Sequence, residues 1–104
     1  MPQSYRVIVL PEAFADLDRI TDYIQQDSPQ NAARILDQLW NATRTLDTFP
    51  HRYKVHELRR DPAKTVHSMP VPPFIIYYRV DETNRSVRVL TVRHGRRRQP
   101  RRFR

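Results

Sequence analysis

Two amphipathic stretches, joined by the short break Asp27-Ser28-Pro29, restrict this chain more than any other feature. From Glu12 the apolar positions Ala13, Leu17, Ile20 and Ile24 recur at spacings of four, three and four, with Asp16, Asp18, Arg19 and Asp22 between them. That period predicts a helix with a single apolar stripe. Acids in its early turns suit the helix dipole. Pro11 can open the helix, because the first helical residue needs no N–H. After the break, Ser28 is placed to cap a second helix and Pro29 to begin it. Its stripe is Ala32, Ile35, Leu36, Leu39, Thr43 and Leu46, widened by Trp40, and it runs to about Thr48 before Phe49-Pro50 ends it. A connection this short makes the helices antiparallel neighbours, an αα-hairpin.

The apolar side of that hairpin needs a surface to pack on, and the rest of the chain supplies strands. Tyr5 to Leu10 (YRVIVL) is rich in β-branched residues and reads as a strand. After the hairpin, Tyr53–Leu58 and Thr65–Met69 are short strand candidates separated by the turn-like Arg60-Asp61-Pro62. Phe74–Val80 (FIIYYRV) is the most apolar run and is expected at the centre of the sheet. Ser86–Arg93 (SVRVLTVR) returns after the polar turn Asp81–Arg85. Short strands in succession imply antiparallel pairing. Pro70, Pro72 and Pro73 lack the N–H of a central strand and mark an irregular lead-in to FIIYYRV. The fold class is therefore α+β, ordered β-α-α-β-β-β-β, with the hairpin packed on a curved, mainly antiparallel sheet. Tyr77 and Tyr78 should point to opposite faces, and Trp40 reads as hairpin core.

Charge divides the chain. Residues 1–50 hold four Lys/Arg against seven Asp/Glu, whereas residues 51–104 hold fifteen against four and all four histidines. A generally basic surface would not leave the first half slightly acidic, so the second half is expected to meet a polyanion or an acidic protein. Six arginines fall within 96–104. One domain is expected over residues 1–95, followed by a basic, flexible tail over 96–104 that can bury apolar surface only through Phe103.

Other classes are unsupported. No run of about 18 apolar residues occurs, so no spanning helix and no membrane association is expected. The start lacks the basic and apolar regions of a secretory signal, and a cytoplasmic location is the default. With no cysteine, thiolate metal sites and disulfides are impossible. His51, His56 and His67 form no HxxxH pair, Gly95 is the only glycine, and neither a metal nor a cofactor is expected.

Taken together, PEAFADLDRITDYI after a short strand, the serine-proline break, the FP ending, the YYRV strand and the closing VRVLTVRHGRRRQP resemble the RelE/ParE toxins of type II toxin–antitoxin systems. The resemblance covers about residues 5–100, and His94-Gly95-Arg96-Arg97 is similar to the HGRR ending of the ParE-like branch. It implies a growth-arresting toxin neutralised by a cognate antitoxin with an acidic amphipathic C-terminal segment. ParE-like members poison DNA gyrase and are linked to plasmid stabilisation. RelE-like members cut mRNA on the ribosome without a metal.

Metal-free RNA cleavage needs a base, cations around the phosphate and an acid for the leaving oxygen. The available set is His56 or Glu57 as base, Arg79, Arg88 and Arg93 as clamps, and His94 as acid. The resemblance argues against it: ribonuclease members carry an arginine early in the apolar strand, where Ile75 stands, and a tyrosine near the end of the last strand, where Gly95 follows His94. Glu57 then reads as a strand-surface charge near Arg59 or Arg60, and His94 as a hydrogen-bonded turn residue. The residues expected to contact a target or an antitoxin are Arg79, Arg88, Arg93, His94, Arg96, Arg97 and Arg98. A gyrase-directed toxin is the first reading and a ribosome-dependent mRNA endonuclease the second. An inactive homologue or a basic nucleic-acid-binding module is the third.

Overall fold

In the computed structural model, which describes residues 4–104, β1 (Arg6–Val9) leads directly into α1 (Pro11–Gln25) and α2 (Pro29–Arg44). Both prolines open their helices, and the Ser28 hydroxyl accepts the Asn31 N–H at 3.2 Å. The hairpin thus forms as its pattern requires. α2 stops at Arg44 and tightens into a 3-10 turn over Thr45–Asp47, a little short of the expected Thr48. Four more strands follow: β2 (Lys54–Glu57), β3 (Val66–Val71), β4 (Phe74–Asp81) and β5 (Ser86–His94).

The strands form one sheet in the order β1-β5-β4-β3-β2. Its first strand runs parallel to its last, and the other pairings are antiparallel. The expected α+β architecture is the observed one, with FIIYYRV in the middle of the sheet. The hairpin covers one face, and its main core joins Leu17, Leu39 and Leu46 to Met69, Ile76, Tyr78 and Val80. Trp40 packs against this core and meets Phe14 at 5.4 Å between ring centroids. A smaller cluster of Val66, Tyr77 and Leu90 lies apart, with Leu10, Ile75 and Phe103 against it. Tyr77 and Tyr78 fall in different clusters, as the pleat demands.

Three details depart from the sequence reading. Pro70 lies inside β3, paired with Ile75, rather than in an irregular lead-in. It is tolerated because β2 pairs only with Val66–Ser68, so β3 has an open outer edge at Pro70 and needs no N–H there. The chain then turns at Pro72-Pro73, which is joined by a cis peptide bond.

The second departure is Asp16, grouped by sequence with the polar side of α1 but only 7% exposed. Its carboxylate accepts from the Thr91 hydroxyl and from the Val92 amide at 3.0 Å, and it pairs with Arg19. The geometry explains the burial. β1 pairs with β5 only as far as Val9↔Val89, so the β5 edge beyond it lacks a strand neighbour. Asp16 supplies the missing acceptor from the helix. Two residues, Leu90 and Thr91, stand against Tyr77 at this point, a β-bulge that shifts the register of β5 against β4.

The third is the tail. Expected to lie loose, residues 96–104 turn back across the face of the sheet that the hairpin leaves open. The reason is apolar area: Ile75, Val66, Tyr77 and Leu90 would otherwise face water, and Phe103 packs on them.

Candidate functional site

Most of the candidate residues belong to this second face. Cross-strand partners share a face, so the registers Glu57↔Val66, Arg79↔Arg88 and His67↔Tyr78 define one row, Glu57–Val66–Arg79–Arg88, spanning four strands. Arg93 lies on the same face opposite Ile75, toward the other end of β5. Two cations therefore stand side by side in the middle of the sheet, and a third lies further along it.

Arg79 is partly buried. Its Nε donates to the Lys64 carbonyl at 3.0 Å, while its Nη2 is buried without a hydrogen-bond partner among the described residues. Loss of solvent and the nearby Arg59 lower its pKa, and Glu57 opposes them. Arg88, directly across from it, is exposed.

Glu57 is engaged. It accepts from Arg59 Nε at 3.0 Å and from the Phe103 amide at 3.2 Å. Partial desolvation pushes its carboxyl up, but the Phe103 amide and Arg59 outweigh it and hold it below the usual carboxylate range. A carboxylate with two donors and a lowered pKa is a poor proton acceptor. His56 donates through Nε2 to the Pro100 carbonyl at 2.6 Å and lies against Tyr77 and Phe103, with ring centroids at 4.8 and 5.9 Å. His67 is buried, stacked on Tyr78 and kept toward its neutral form by that burial.

His94 is not with these groups. It pairs with Phe74, on the hairpin side, and its ring meets Phe74 edge-on at 5.5 Å. Its Nδ1 accepts from the Arg96 amide at 3.1 Å, the role of a turn residue. Five positions of β4 separate the Phe74 row from the Arg79 row, about 17 Å at roughly 3.4 Å per residue. The candidate acid and base thus sit on different faces and at different ends of the sheet. Arg96, Arg97 and Arg98 are exposed in the turn after β5.

The tail is fastened by polar bonds whose partners sequence reasoning did not single out. Gln99 accepts from the Tyr77 hydroxyl at 2.7 Å and donates to the carbonyls of His94 and Arg97 at 2.9 and 2.6 Å. Arg59 bonds the Phe103 carbonyl as well as Glu57. Between the tail, β5 and the start of α1 lies a cavity of about 310 Å³, where Arg93, Arg102 and Arg104 line the wall with Thr91, Pro100, Phe103 and Glu12. Gly95 explains itself by close approach. Its amide donates to the Pro73 carbonyl at 2.7 Å, and a Cβ there would stand 3.1 Å from that oxygen. Among the described residues no three His, Asp or Glu side chains gather as metal ligands, and no helix is long and apolar enough to cross a membrane.

A helical hairpin on a five-stranded mixed sheet is the architecture shared with RelE/ParE toxins. The toxin–antitoxin system ParDE of Pseudomonas aeruginosa has a chain that superposes with a TM-score of 0.68 at 19% identity, covering 88% of this chain and 97% of that one. The toxin–antitoxin complex RelBE2 of Mycobacterium tuberculosis matches at 0.58 and 25% identity, over 88% and 91%. The archaeal RelE–RelB complex of Pyrococcus horikoshii matches at 0.65 and 14%, over 91% and 99%. No curated protein sequence matches. The family of the ParE toxin of the type II toxin–antitoxin system parDE matches residues 7–99, and the chain belongs to that family.

Proposed function

We propose that this toxin arrests growth by acting on DNA gyrase, as part of a plasmid-stabilising pair, and that a cognate antitoxin with an acidic amphipathic segment neutralises it in the cytoplasm. The observation that carries the reading is the state of the groups a ribonuclease would use. Ile75 and Gly95 stand where arginine and tyrosine are expected, Glu57 is bound to Arg59 and the Phe103 amide, and His94 lies far from it. Isoleucine cannot stabilise a pentacovalent phosphate, and each missing transition-state contact typically costs about 10²–10³ in rate.

The test compares two targets. With gyrase and plasmid, the purified protein should trap cleaved DNA or abolish supercoiling; with programmed ribosomes it should leave mRNA intact. The double variant His94→Gln, Glu57→Gln should keep its toxicity while it stays folded. Codon-specific mRNA cleavage lost in that variant would replace this reading with the ribosome-dependent endonuclease. A neighbouring reading frame encoding a small acidic protein should relieve the growth arrest through complementary charge and apolar docking.

A further inference from the structure

We infer that the seated tail is a surface for duplex DNA: its arginines are held in place to meet a phosphate backbone, and Gln99 and Phe103 are the positioning residues that hold them. The surface stands on the geometry. The choice of duplex DNA rests on the gyrase reading above, because duplex DNA is that enzyme's substrate.

Residues 96–104 carry six arginines, and all six are exposed. Cations so close along the chain lie within the screening length of ~8 Å at physiological salt and repel one another. A loose tail would let them spread apart, but the fold does the opposite. The Gly95 amide donates to the Pro73 carbonyl at 2.7 Å, and the Arg96 and Arg97 amides donate to Nδ1 and the carbonyl of His94, both at 3.1 Å. Gln99 then ties the His94 and Arg97 carbonyls to the buried Tyr77 hydroxyl. Further on, His56 holds the Pro100 carbonyl, while Glu57 and Arg59 hold the Phe103 main chain.

Each of these bonds grips the main chain of the tail or the Gln99 side chain. The six guanidinium groups are used by none of them. Among the described residues none of the six forms an ion pair, and Glu12, which borders one cavity with Arg93, Arg102 and Arg104, pairs with none of them. Pinning like charges together costs stability unless a polyanion offsets their repulsion. A phosphate backbone offsets it, and releases its counterions in doing so.

Two features select a duplex over other polyanions. A protein partner needs an apolar centre in its interface, yet the exposed large apolar side chains are Phe14, Tyr23, Phe49, Val55 and Leu58, none of them within residues 93–104. Single strands bind by stacking unpaired bases on aromatic rings. Phe103, the tail's single aromatic residue, spends its ring on Tyr77 and His56, with centroids at 5.0 and 5.9 Å. A duplex asks for neither, only for cations held at fixed positions.

The test measures binding of the full chain to a short fluorescent DNA duplex of mixed sequence over a range of salt concentrations. Gln99→Leu and Phe103→Ala leave every charge in place, so a tail that acted through charge alone would bind as the parent does. Both should instead weaken binding about five- to tenfold at fixed salt, because the arginines must be ordered on contact. Their salt dependence should stay near the parent's, whereas Arg97→Gln should flatten the slope of log affinity against log salt by about one. Parent affinity in Gln99→Leu, or in Phe103→Ala if Gln99→Leu does not fold, overturns the inference, as does a parent that leaves the duplex unbound. Tighter binding to an RNA duplex of the same sequence overturns the choice of DNA, and tighter binding to a polyglutamate peptide overturns the nucleic-acid assignment. Gyrase assays keep the two ideas apart. Inhibition without duplex binding removes this surface and leaves the gyrase reading, while Gln99-dependent duplex binding without inhibition does the reverse.

Discussion

The two faces of this sheet solve the same problem with different materials. On one, the helical hairpin lays Leu17, Leu39 and Leu46 over Met69, Ile76 and Tyr78, and most of these side chains are wholly removed from water. On the other, a tail of arginines spans a smaller cluster through Phe103 and fastens itself with polar bonds from Gln99, Arg59 and His56. The first cover is continuous apolar packing. The second is one aromatic ring held by hydrogen bonds, and bonds partly open to solvent contribute little net stability. Stability therefore belongs chiefly to the hairpin face, while the other face carries Arg79, Arg88 and Arg93.

Substitutions can break that division. Leu39, 1% exposed, lies in the main core, so Leu39→Ala should cost about 3 kcal/mol of unfolding free energy, as large-to-small core changes do. Chemical denaturation measures it, and a loss below about 1 kcal/mol would mean that the hairpin is not the main source of stability. Asp16→Ala should cost roughly 2 kcal/mol, because it strands the Thr91 hydroxyl and the Val92 amide inside the protein. Hydrogen exchange at Val92 reports the same event locally, and protection equal to that of the parent would contradict the edge-capping role. Phe103→Ala should cost the least, about 1 kcal/mol, since the ring is only partly buried and lies at the edge of a small cluster. It should also expose Tyr77 to solvent, which tyrosine fluorescence and quenching can follow. A cost matching that of Leu39→Ala would erase the contrast between the faces.

The architecture was legible in the chain because its signals were local. The periods of α1 and α2, the serine-proline break and the apolar run Phe74–Val80 each specify an element without reference to the others. Asp16 shows where that logic fails and where it could have been pressed further. Its position, three after Ala13 and one before Leu17, puts it inside the apolar stripe, so periodicity alone argued for burial. Its charge argued the other way. What decides is the length of β1, which sets where β5 runs out of strand partners, and no local pattern reports that. The tail's seat is hidden for a related reason: composition shows six arginines but not the apolar cluster against which Phe103 packs. As for the candidate residues, Arg79, Arg88 and Arg93 share one face, whereas His94 falls on the other side. The bulge at Leu90 and the turn at Gly95 belong to the pairing of β4 with β5 and are invisible until the strands are aligned.

The parallel pairing of β1 with β5 also governs when this protein can exist as a folded object. Tyr5 and Arg85, 80 positions apart, meet through a hydrogen bond of 2.9 Å beside the point where the two strands join. Contacts of such sequence separation are slow to form, because the intervening chain must be closed into a loop first. During synthesis the hairpin can collapse early, but β1 has no neighbour until β5 has left the ribosome. The nascent chain consequently stays incomplete for most of its translation, and the second face, with its paired arginines, is among the last surfaces to be assembled. A protein that harms the cell producing it would gain from that delay, since an antitoxin already present could meet the chain before it is complete.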